Sequence, residues 1–478
     1  MNFVSFRFWV VLFALAIIYA AIRGLLGWKS WPKQNDRLYL LLGSLVLFGM
    51  EDLKSLCIFL AVSAFIFFCI SNKKTRETRS KLIVGIIVTV SIMPLLFFKY
   101  GDFLGIVDNQ ETRFSDLVIP IGLSFYTFQL VSLYIDSRRD ALENLETEPA
   151  IKGASPGSGK ITALNFLNFA SFFPQIVAGP IERRSNLLPQ LESFQFRIDP
   201  ADLVAGLRWV VIGLFYKLMV ADSLASSSDW IYNKFESPMV IHLANLSFGL
   251  RIYGDFAGYS FIALGIARIF GVSLTQNFIS PYTQTSLRSF WRCWHVSLTQ
   301  WLRDYVYIPL GGKKILWASL ATFLVSGIWH GAGWTFLIWG ALHGIGVSVW
   351  KVGKNSSSFR QGLMWLVTIG FAMTAWMPFY QWDPGLLAYK AGRILDIPGY
   401  LENPLQELKV LCGGLGGVVY FGVALALGVA VIALEFASKH LRHDPYAWGK
   451  STPVQMVMIV LLISCSPVVD SGFIYFSF

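Results

Sequence analysis

Long apolar segments alternate with short polar segments along almost the whole chain. The first apolar segment, Phe3–Ile22, is interrupted only by Arg7. A membrane-spanning helix needs about 20 such residues, whereas the apolar region of a cleaved signal peptide is shorter and follows basic residues. We therefore expect a retained spanning helix at this position.

Apolar segments continue to the far end of the chain, and some of them are too short to span a bilayer. They are Leu38–Phe48, Leu53–Ile70, Leu82–Phe98, Leu117–Ile135, Leu164–Val177, Leu203–Val220, Ile241–Phe270, Ile315–Trp329, Trp334–Trp350, Leu363–Tyr380, Val410–Phe436 and Val454–Cys465. We expect breaks at Pro94, Pro120 and Pro174. Non-helical backbone inside a bilayer is tolerated only where protein or a water-filled cavity covers it. The pattern predicts an all-α, polytopic membrane protein with re-entrant pieces around a cavity.

The composition supports a membrane protein. Hydrophobic residues make up 55% of the 478 residues and charged residues 14%, whereas a soluble domain has about 25% charged residues. A net charge of +10 would suggest nucleic acid in a soluble protein. Here we expect the basic loops to face anionic membrane lipid, with no nucleic-acid partner. The five cysteines form no CxxC pair, which disfavours a cysteine-based metal site.

Basic residues are distributed unequally between alternate loops. The loops Arg23–Arg37 and Ser71–Lys81 together carry nine Lys and Arg residues, and the alternate loops carry three: Lys54, Lys99 and Arg113. Cytoplasmic loops are enriched in Lys and Arg. The count predicts that the two basic loops are cytoplasmic and that the N-terminus is extracytoplasmic.

One segment, Asp136–Gly159, mixes charges with Gly, Ser and Pro and has no apolar period, which is typical of a linker. Its end, Gly157–Lys160, lacks the spacing of a nucleotide-binding P-loop. We expect a single membrane-embedded domain, 1–478. It would comprise N-terminal helices over 1–135, a polar cytoplasmic loop over 136–163, a catalytic core over 164–350 and C-terminal helices over 351–478.

Polar residues concentrate between Asp255 and His343, where they would be energetically costly inside a bilayer. His330 lies among small residues, including Gly327, Gly331 and Gly333, and we expect these residues to allow close backbone approach and to leave room for a substrate. Imidazole suits a general base near neutral pH. The alternative is a structural histidine that hydrogen-bonds a neighbouring helix.

His295 lies among aromatic and basic residues, a composition that favours an interfacial or re-entrant helix. Arg288, Arg292 and Arg303 can hold anionic groups, either lipid head groups or a phosphorylated donor. Cys293 has no neighbouring base fixed by the sequence, which disfavours a catalytic thiol.

A metal site on histidines is also disfavoured. His330 and His343 are thirteen residues apart, which places them about 220° apart if they share one helix. No HExxH spacing occurs. We therefore expect no metal. A GxSxG elbow is absent too, which argues against a serine hydrolase.

The chain resembles the membrane-bound O-acyltransferase family, in particular its bacterial branch of alginate O-acetyltransferases. The resemblance is carried by Phe173–Ile181, Tyr253–Ser260, Asn277–Tyr282, Phe290–Leu298, Trp301–Gly312, Trp329–Gly331 and Phe473–Phe478, and more weakly by Phe97–Tyr100 and Ile121–Tyr126. It implies a ring of about 11 transmembrane helices, with re-entrant and interfacial helices, around a central funnel and tunnel. It also implies that His330 is catalytic and that His295 is a second functional position.

The sequence departs from the family pattern at Cys293, where this branch usually has Arg, and near Met50–Asp52, where an aromatic pair is often found. Neither departure touches the histidines. The remaining candidates for residues that line the substrate tunnel are Trp329, Trp291, Trp294, Arg292, Asp255, Tyr259, Asn277, Arg303 and Asp304.

The resemblance implies acetyl transfer from a cytoplasmic thioester to hydroxyls of an exported polysaccharide. It implies acetyl-CoA or another acyl thioester as co-substrate, no bound cofactor, a periplasmic acetyltransferase partner and a place in the bacterial inner membrane. Ile308–Gly312 and Trp339–Gly344 look like the alginate branch, rather than the branch that transfers D-alanine to teichoic acid. D-alanyl transfer and a non-enzymatic glycan or lipid transporter are the alternatives. No internal repeat supports the transporter.

Overall fold

The apolar segments form α-helices in the computed structural model of the protein. It describes residues 3–25, 32–101, 103–104, 119–146, 161–176, 179–225, 237–314, 317–349, 357–467 and 472–474. No strand occurs among these residues. The all-α prediction is confirmed.

The helices are numbered in chain order. They are α1 (Phe6–Leu25), α2 (Lys33–Glu51), α3 (Leu53–Ser71), α4 (Lys73–Arg76), α5 (Lys81–Tyr100), α6 (Leu123–Glu146), α7 (Ala163–Ser171), α8 (Arg184–Glu192), α9 (Pro200–Leu214), α10 (Pro238–Ile269), α11 (Leu287–Cys293), α12 (Val296–Leu302), α13 (Ala318–His330), α14 (Trp334–Val349), α15 (Ser358–Ala375), α16 (Met377–Tyr380), α17 (Pro384–Ile394), α18 (Pro404–Leu411), α19 (Leu415–Arg442) and α20 (Thr452–Cys465). Two π-helical segments, Phe215–Asp222 and Arg303–Tyr307, follow α9 and α12. Short 3₁₀ turns occupy Pro281–Thr283, Gly312–Lys314 and Pro398–Leu401.

Six helical stretches of the described chain are long and apolar enough to cross a membrane. They are Phe6–Leu25, Leu53–Ser71, Lys81–Tyr100, Pro200–Ala225, Ser358–Tyr380 and Leu415–Arg442. The apolar helices α13, α14 and α20 are shorter. The expected number of about 11 spans stays a prediction.

The chain divides into two compact units. One comprises Met1–Leu207 with Ala263–Thr275, and the other comprises Arg208–Ile262 with Gln276–Phe478. Both candidate histidines belong to the second unit. The expected single domain and its internal boundaries stay predictions.

The predicted linker is wrong at its start. Residues 136–146 continue α6, because their charged side chains find partners within the first unit: Arg138 Nε donates to the Thr78 carbonyl oxygen (2.7 Å), and Asp140 pairs with Arg184 (2.6 Å). The rest of the linker, 147–160, lies outside the described residues. At the end of the predicted loop, Thr162 caps α7 by accepting from the Asn165 N–H.

The three prolines differ in their effect. Pro120 precedes α6 and Pro174 follows α7, as expected of residues that end helices. Pro94 was expected to break its segment, but α5 continues through it from Lys81 to Tyr100. Spanning helices tolerate proline where neighbouring groups satisfy the freed backbone.

Candidate functional site

Helices α13 and α14 form a hairpin that carries His330 and His343, and glycines let its two helices meet at backbone distance. A methyl group added to Gly327 would lie 2.3 Å from the Phe336 carbonyl oxygen, and one added to Gly340 would lie 2.4 Å from the Phe323 carbonyl oxygen. Any larger residue would push the helices apart. These glycines therefore fix the spacing of the hairpin that holds both histidines.

The expected close backbone approach is confirmed at Gly327, but the expected room for a substrate is wrong at Gly331. The space that a methyl group on Gly331 would enter is filled by the Phe336 ring, whose nearest carbon would lie 2.1 Å away. The small residues allow close packing, and the neighbouring phenylalanine takes the volume they leave.

His330 is buried in an aromatic setting at the C-terminal end of α13. Its ring lies 5.0 Å from that of Trp339 and 5.2 Å from that of Phe379, measured between centroids, and both contacts are edge-on. Aromatic rings on two sides restrict the orientation of the imidazole. A fixed imidazole is the property that a positioned general base requires.

His295 lies at the junction of α11 and α12 in a left-handed backbone conformation, with φ 42° and ψ 55°. This conformation is unfavourable for a residue with a side chain and occurs mainly where the surroundings impose it, often at functional sites. Asn277 imposes it here. Its carbonyl oxygen accepts from the Val296 N–H (3.0 Å), and its side-chain oxygen accepts from the Ser297 N–H (3.1 Å).

Trp329 connects the two predicted histidines. Its ring centroid lies 4.8 Å from that of His330 and 5.9 Å from that of His295. The structure therefore brings His295, Trp329 and His330 into one buried cluster, and the two imidazoles are no farther apart than these two distances combined.

His343 does not share a helix with His330, so the premise that placed them about 220° apart is wrong. The two residues lie on the two arms of the hairpin, and Trp339 contacts both rings, at 5.0 Å and 4.9 Å. Trp291 donates from Nε1 to His343 Nδ1 (3.2 Å). Within the described chain, no group of three His, Cys, Asp or Glu residues is suited to a metal ion.

A cavity of about 760 Å³ opens beside the cluster of His295, Trp329 and His330. Its exposed rim carries four cationic residues: Arg288, Arg292, Arg303 and Lys313. Part of the cavity wall is apolar and consists of Trp291, Phe323 and Val347. The cavity is also lined by two residues of α13, Thr322 and Ser326. Ser326 precedes His330 by one helical turn, and residues four apart lie on the same helix face. The cavity therefore approaches the buried histidine along that face.

The other predicted site residues fall into two groups. Trp291, Arg292 and Arg303 line the cavity, and Asp304 pairs with Arg303 at its rim (2.7 Å). The second group lies deeper. Trp294 stacks on Phe290 at 5.5 Å, and Asp255 and Tyr259 lie beside Lys217.

Burial also sets the protonation of groups near the cluster that lie outside the six candidate spans. It lowers the pKa of His295 to about 3, which keeps this imidazole neutral near pH 7. Burial raises the pKa of the Cys293 thiol, although Lys439 and Arg292 act in the opposite direction. A thiol held protonated is a poor nucleophile.

Sequence reasoning missed three aromatic contacts of the histidines. Trp339 and Phe379 pack on His330, and Phe256 packs edge-on against His295 at 4.6 Å. Phe256 lies inside the motif Tyr253–Ser260, which was a usable signal. Phe379 lies 49 positions after His330 in a separate helix, and nothing in the sequence connects them.

Comparisons with known proteins find membrane acyltransferases. The sequence model of the MBOAT, or membrane-bound O-acyltransferase, family matches residues 106–379, which include His295 and His330. The peptidoglycan O-acetyltransferase of Helicobacter pylori is 29% identical over 98% of this chain and 96% of its own length. A probable alginate O-acetylase of Pseudomonas aeruginosa is 31% identical over 72% of this chain and 66% of its own length. The teichoic acid D-alanyltransferase of Bacillus subtilis is 26% identical over 71% of this chain and 86% of its own length.

Proposed function

The chain belongs to the membrane-bound O-acyltransferase family, and from this premise we propose that it transfers acetyl groups from a thioester donor to hydroxyls of an exported polysaccharide. The observation that carries the proposal is the buried cluster of His330, Trp329 and His295 beside a cavity with a cationic rim. The similarity to a peptidoglycan O-acetyltransferase over 98% of the chain supports an acetyl group and a glycan acceptor.

In the proposed reaction, the acceptor hydroxyl oxygen attacks the carbonyl carbon of the acetyl thioester. His330 takes the hydroxyl proton as the new C–O bond forms, because a hydroxyl is a poor nucleophile without a base. The C–S bond then breaks, and the proton passes to the departing thiolate. The products are the acetyl ester and a free thiol.

His295 has a different proposed role. A neutral imidazole carries one N–H, which can donate a hydrogen bond to the oxyanion that develops on the thioester carbonyl. Burial keeps His295 neutral, and Asn277 fixes its backbone. Donors held in advance at the site of developing charge lower the barrier without reorganising during the reaction.

The cavity is the proposed donor site. Acetyl-CoA, or a carrier with a phosphopantetheine arm, joins a thioester to phosphate groups, and the cationic rim with its apolar interior matches those two parts. Arg suits phosphate because its guanidinium donates two parallel hydrogen bonds. A cavity of this volume lies within the usual range for small-molecule sites, about 300–1,000 Å³.

We place the protein in the bacterial inner membrane, with the donor on the cytoplasmic side and the N-terminus outside. Acceptor transfer would involve a periplasmic acetyltransferase partner, and membrane lipid surrounds the helices. D-alanyl transfer to teichoic acid is less favoured, because the D-alanyltransferase of Bacillus subtilis matches less of the chain at lower identity than the peptidoglycan enzyme does.

The test is donor turnover by the purified protein in nanodiscs. Labelled acetyl-CoA or acetyl-loaded carrier protein is supplied with soluble glycan fragments, and thiol release and glycan ester are both measured. Arg288→Gln and Arg292→Gln should each raise the donor KM several-fold and weaken its salt dependence. Arg360→Gln, at the exposed start of α15, is the matched control. Equal donor KM values in all three variants would show that the cavity does not bind the donor.

A further inference from the structure

A fully buried lysine lies in the second unit, apart from the proposed chemistry. Lys217 Nζ lies 2.7 Å from an Asp222 carboxylate oxygen, 2.7 Å from an Asp255 carboxylate oxygen and 2.7 Å from the Gly472 carbonyl oxygen. Its side chain is 0% exposed. Three oxygens thus surround one ammonium group, which carries three N–H donors.

The local fold is what allows this arrangement. Lys217 and Asp222 are five positions apart, and in an α-helix such residues point in different directions. They lie in the π-helical segment Phe215–Asp222, where the wider turn brings positions i and i+5 together. Gly258 on α10 allows the approach of Asp255, since a methyl group there would lie 2.8 Å from the Lys217 amide nitrogen.

The buried charges hold a segment close to the C-terminal end of the chain. Asp255 accepts a hydrogen bond from the Ile474 N–H (2.7 Å), and Lys217 donates to the Gly472 carbonyl oxygen. The residues on both sides of Phe473 are therefore held by one ion cluster, and Phe473 itself is 1% exposed.

Phe473 connects this cluster to His295. Its ring lies 4.5 Å from Tyr259 and 5.7 Å from Phe256, and Phe256 packs edge-on against His295 at 4.6 Å. The path from the ions to the histidine consists of direct contacts between buried side chains. Removing Phe473 would leave Phe256 without one of its supports.

Burying one cation with two carboxylates is energetically demanding, and such groups in membrane proteins commonly mark function. We propose that Lys217, Asp222 and Asp255 form a docking site for Gly472–Ile474, and that docked Phe473 positions His295 through Phe256. The docking site does not depend on the proposed function, whereas the effect on His295 rests on it. These are positioning residues and contact neither donor nor acceptor.

The docking is tested without reference to activity. Ile474→Cys in a background lacking the five native cysteines keeps the backbone N–H that Asp255 binds and places a thiol at a buried position. The thiol should react slowly with maleimide in detergent, and adding Lys217→Met or Asp255→Asn should accelerate the reaction at least tenfold. Lys390→Met is the matched control, because Lys390 is also buried but bonds to Gln381. Slow labelling in every variant would overturn the docking site.

The effect on His295 is tested by acetyl-transfer kinetics in the otherwise native chain. Phe473→Ala leaves the ion cluster intact and should lower kcat at least tenfold with an unchanged donor KM, and Phe473→Leu should restore most of it. An unchanged kcat in Phe473→Ala would overturn the positioning role. If the native protein shows no transfer, the proposed function fails and takes the positioning role with it, while the labelling result still decides the docking site.

Discussion

The side-chain oxygen of Asn277 accepts a hydrogen bond from the backbone N–H of Ser297, at 3.1 Å, two residues after His295. This bond and the one from Val296 N–H to the Asn277 carbonyl hold the start of α12. They also explain how His295 is kept in a left-handed conformation that a residue with a side chain rarely adopts. Asn277 therefore positions the backbone at His295 and has no role in the proposed chemical step.

Asn277→Ala should lower turnover at least tenfold and reduce stability by about 1–3 kcal/mol, because a buried N–H loses its acceptor. Turnover per folded molecule and thermal unfolding in detergent are the two measurements. Asn168→Ala is the matched control, since Asn168 is equally buried and donates to the Arg37 and Leu164 carbonyl oxygens in the first unit. Equal loss of turnover in both variants would show that Asn277 acts only through stability.

Two glycines of the α13–α14 hairpin, Gly327 and Gly331, should respond differently to a second substitution. Gly331→Ala collides with the Phe336 ring, and Gly327→Ala collides with the Phe336 backbone oxygen. Both should destabilise the protein, since overpacking typically costs about 1–3 kcal/mol. Adding Phe336→Leu should restore Gly331→Ala but not Gly327→Ala, because only the first collision involves the side chain.

Thermal unfolding of the single and double variants checks this prediction. Gly362→Ala and Gly370→Ala on α15 are controls, since a methyl group at either position meets nothing within 4 Å. Equal rescue of both hairpin glycines by Phe336→Leu would contradict the packing described for the hairpin.

The orientation in the membrane can be tested at an exposed residue. Lys74 is exposed on α4, within the basic segment Ser71–Lys81, and the charge count predicts that this segment is cytoplasmic. Lys74→Cys in a cysteine-free background should resist an impermeant thiol reagent in intact cells and react after the membrane is opened. Rapid labelling in intact cells would mean that the orientation is inverted.

Sequence reasoning worked where the physical signal is local or carried by a motif. Apolar runs predicted the helices, and a specific combination of motifs predicted the family. It failed at Gly331, because a glycine next to a histidine looks the same whether its space is open or filled by Phe336. It also failed for His330 and His343, because their angle was taken along one helix although the apolar segments Ile315–Trp329 and Trp334–Trp350 are separate.

A second limit concerns partners distant along the chain. The sequence predicts Asp255 as a tunnel-lining residue, but its partners Lys217 and Ile474 lie 38 positions before it and 219 positions after it. Burial of a carboxylate predicts that a cation must be near. Which cation this is depends on how the π-helical segment Phe215–Asp222 packs against α10, and no local pattern encodes it.

The central claim is that His330 serves acetyl transfer to an exported polymer. The most direct measurement is ester-linked acetate on the exported glycans of a host that lacks the protein, complemented with the native chain, His330→Ala or His440→Ala. His440 is exposed on α19 and serves as the control. The account predicts that deletion removes the acetate and that the native chain and His440→Ala restore it. His330→Ala, present at normal levels, should not restore the acetate, since losing a general base typically lowers the rate about 10²–10⁴-fold. Unchanged acetate with loss of D-alanine from teichoic acid, or full restoration by His330→Ala, would contradict it.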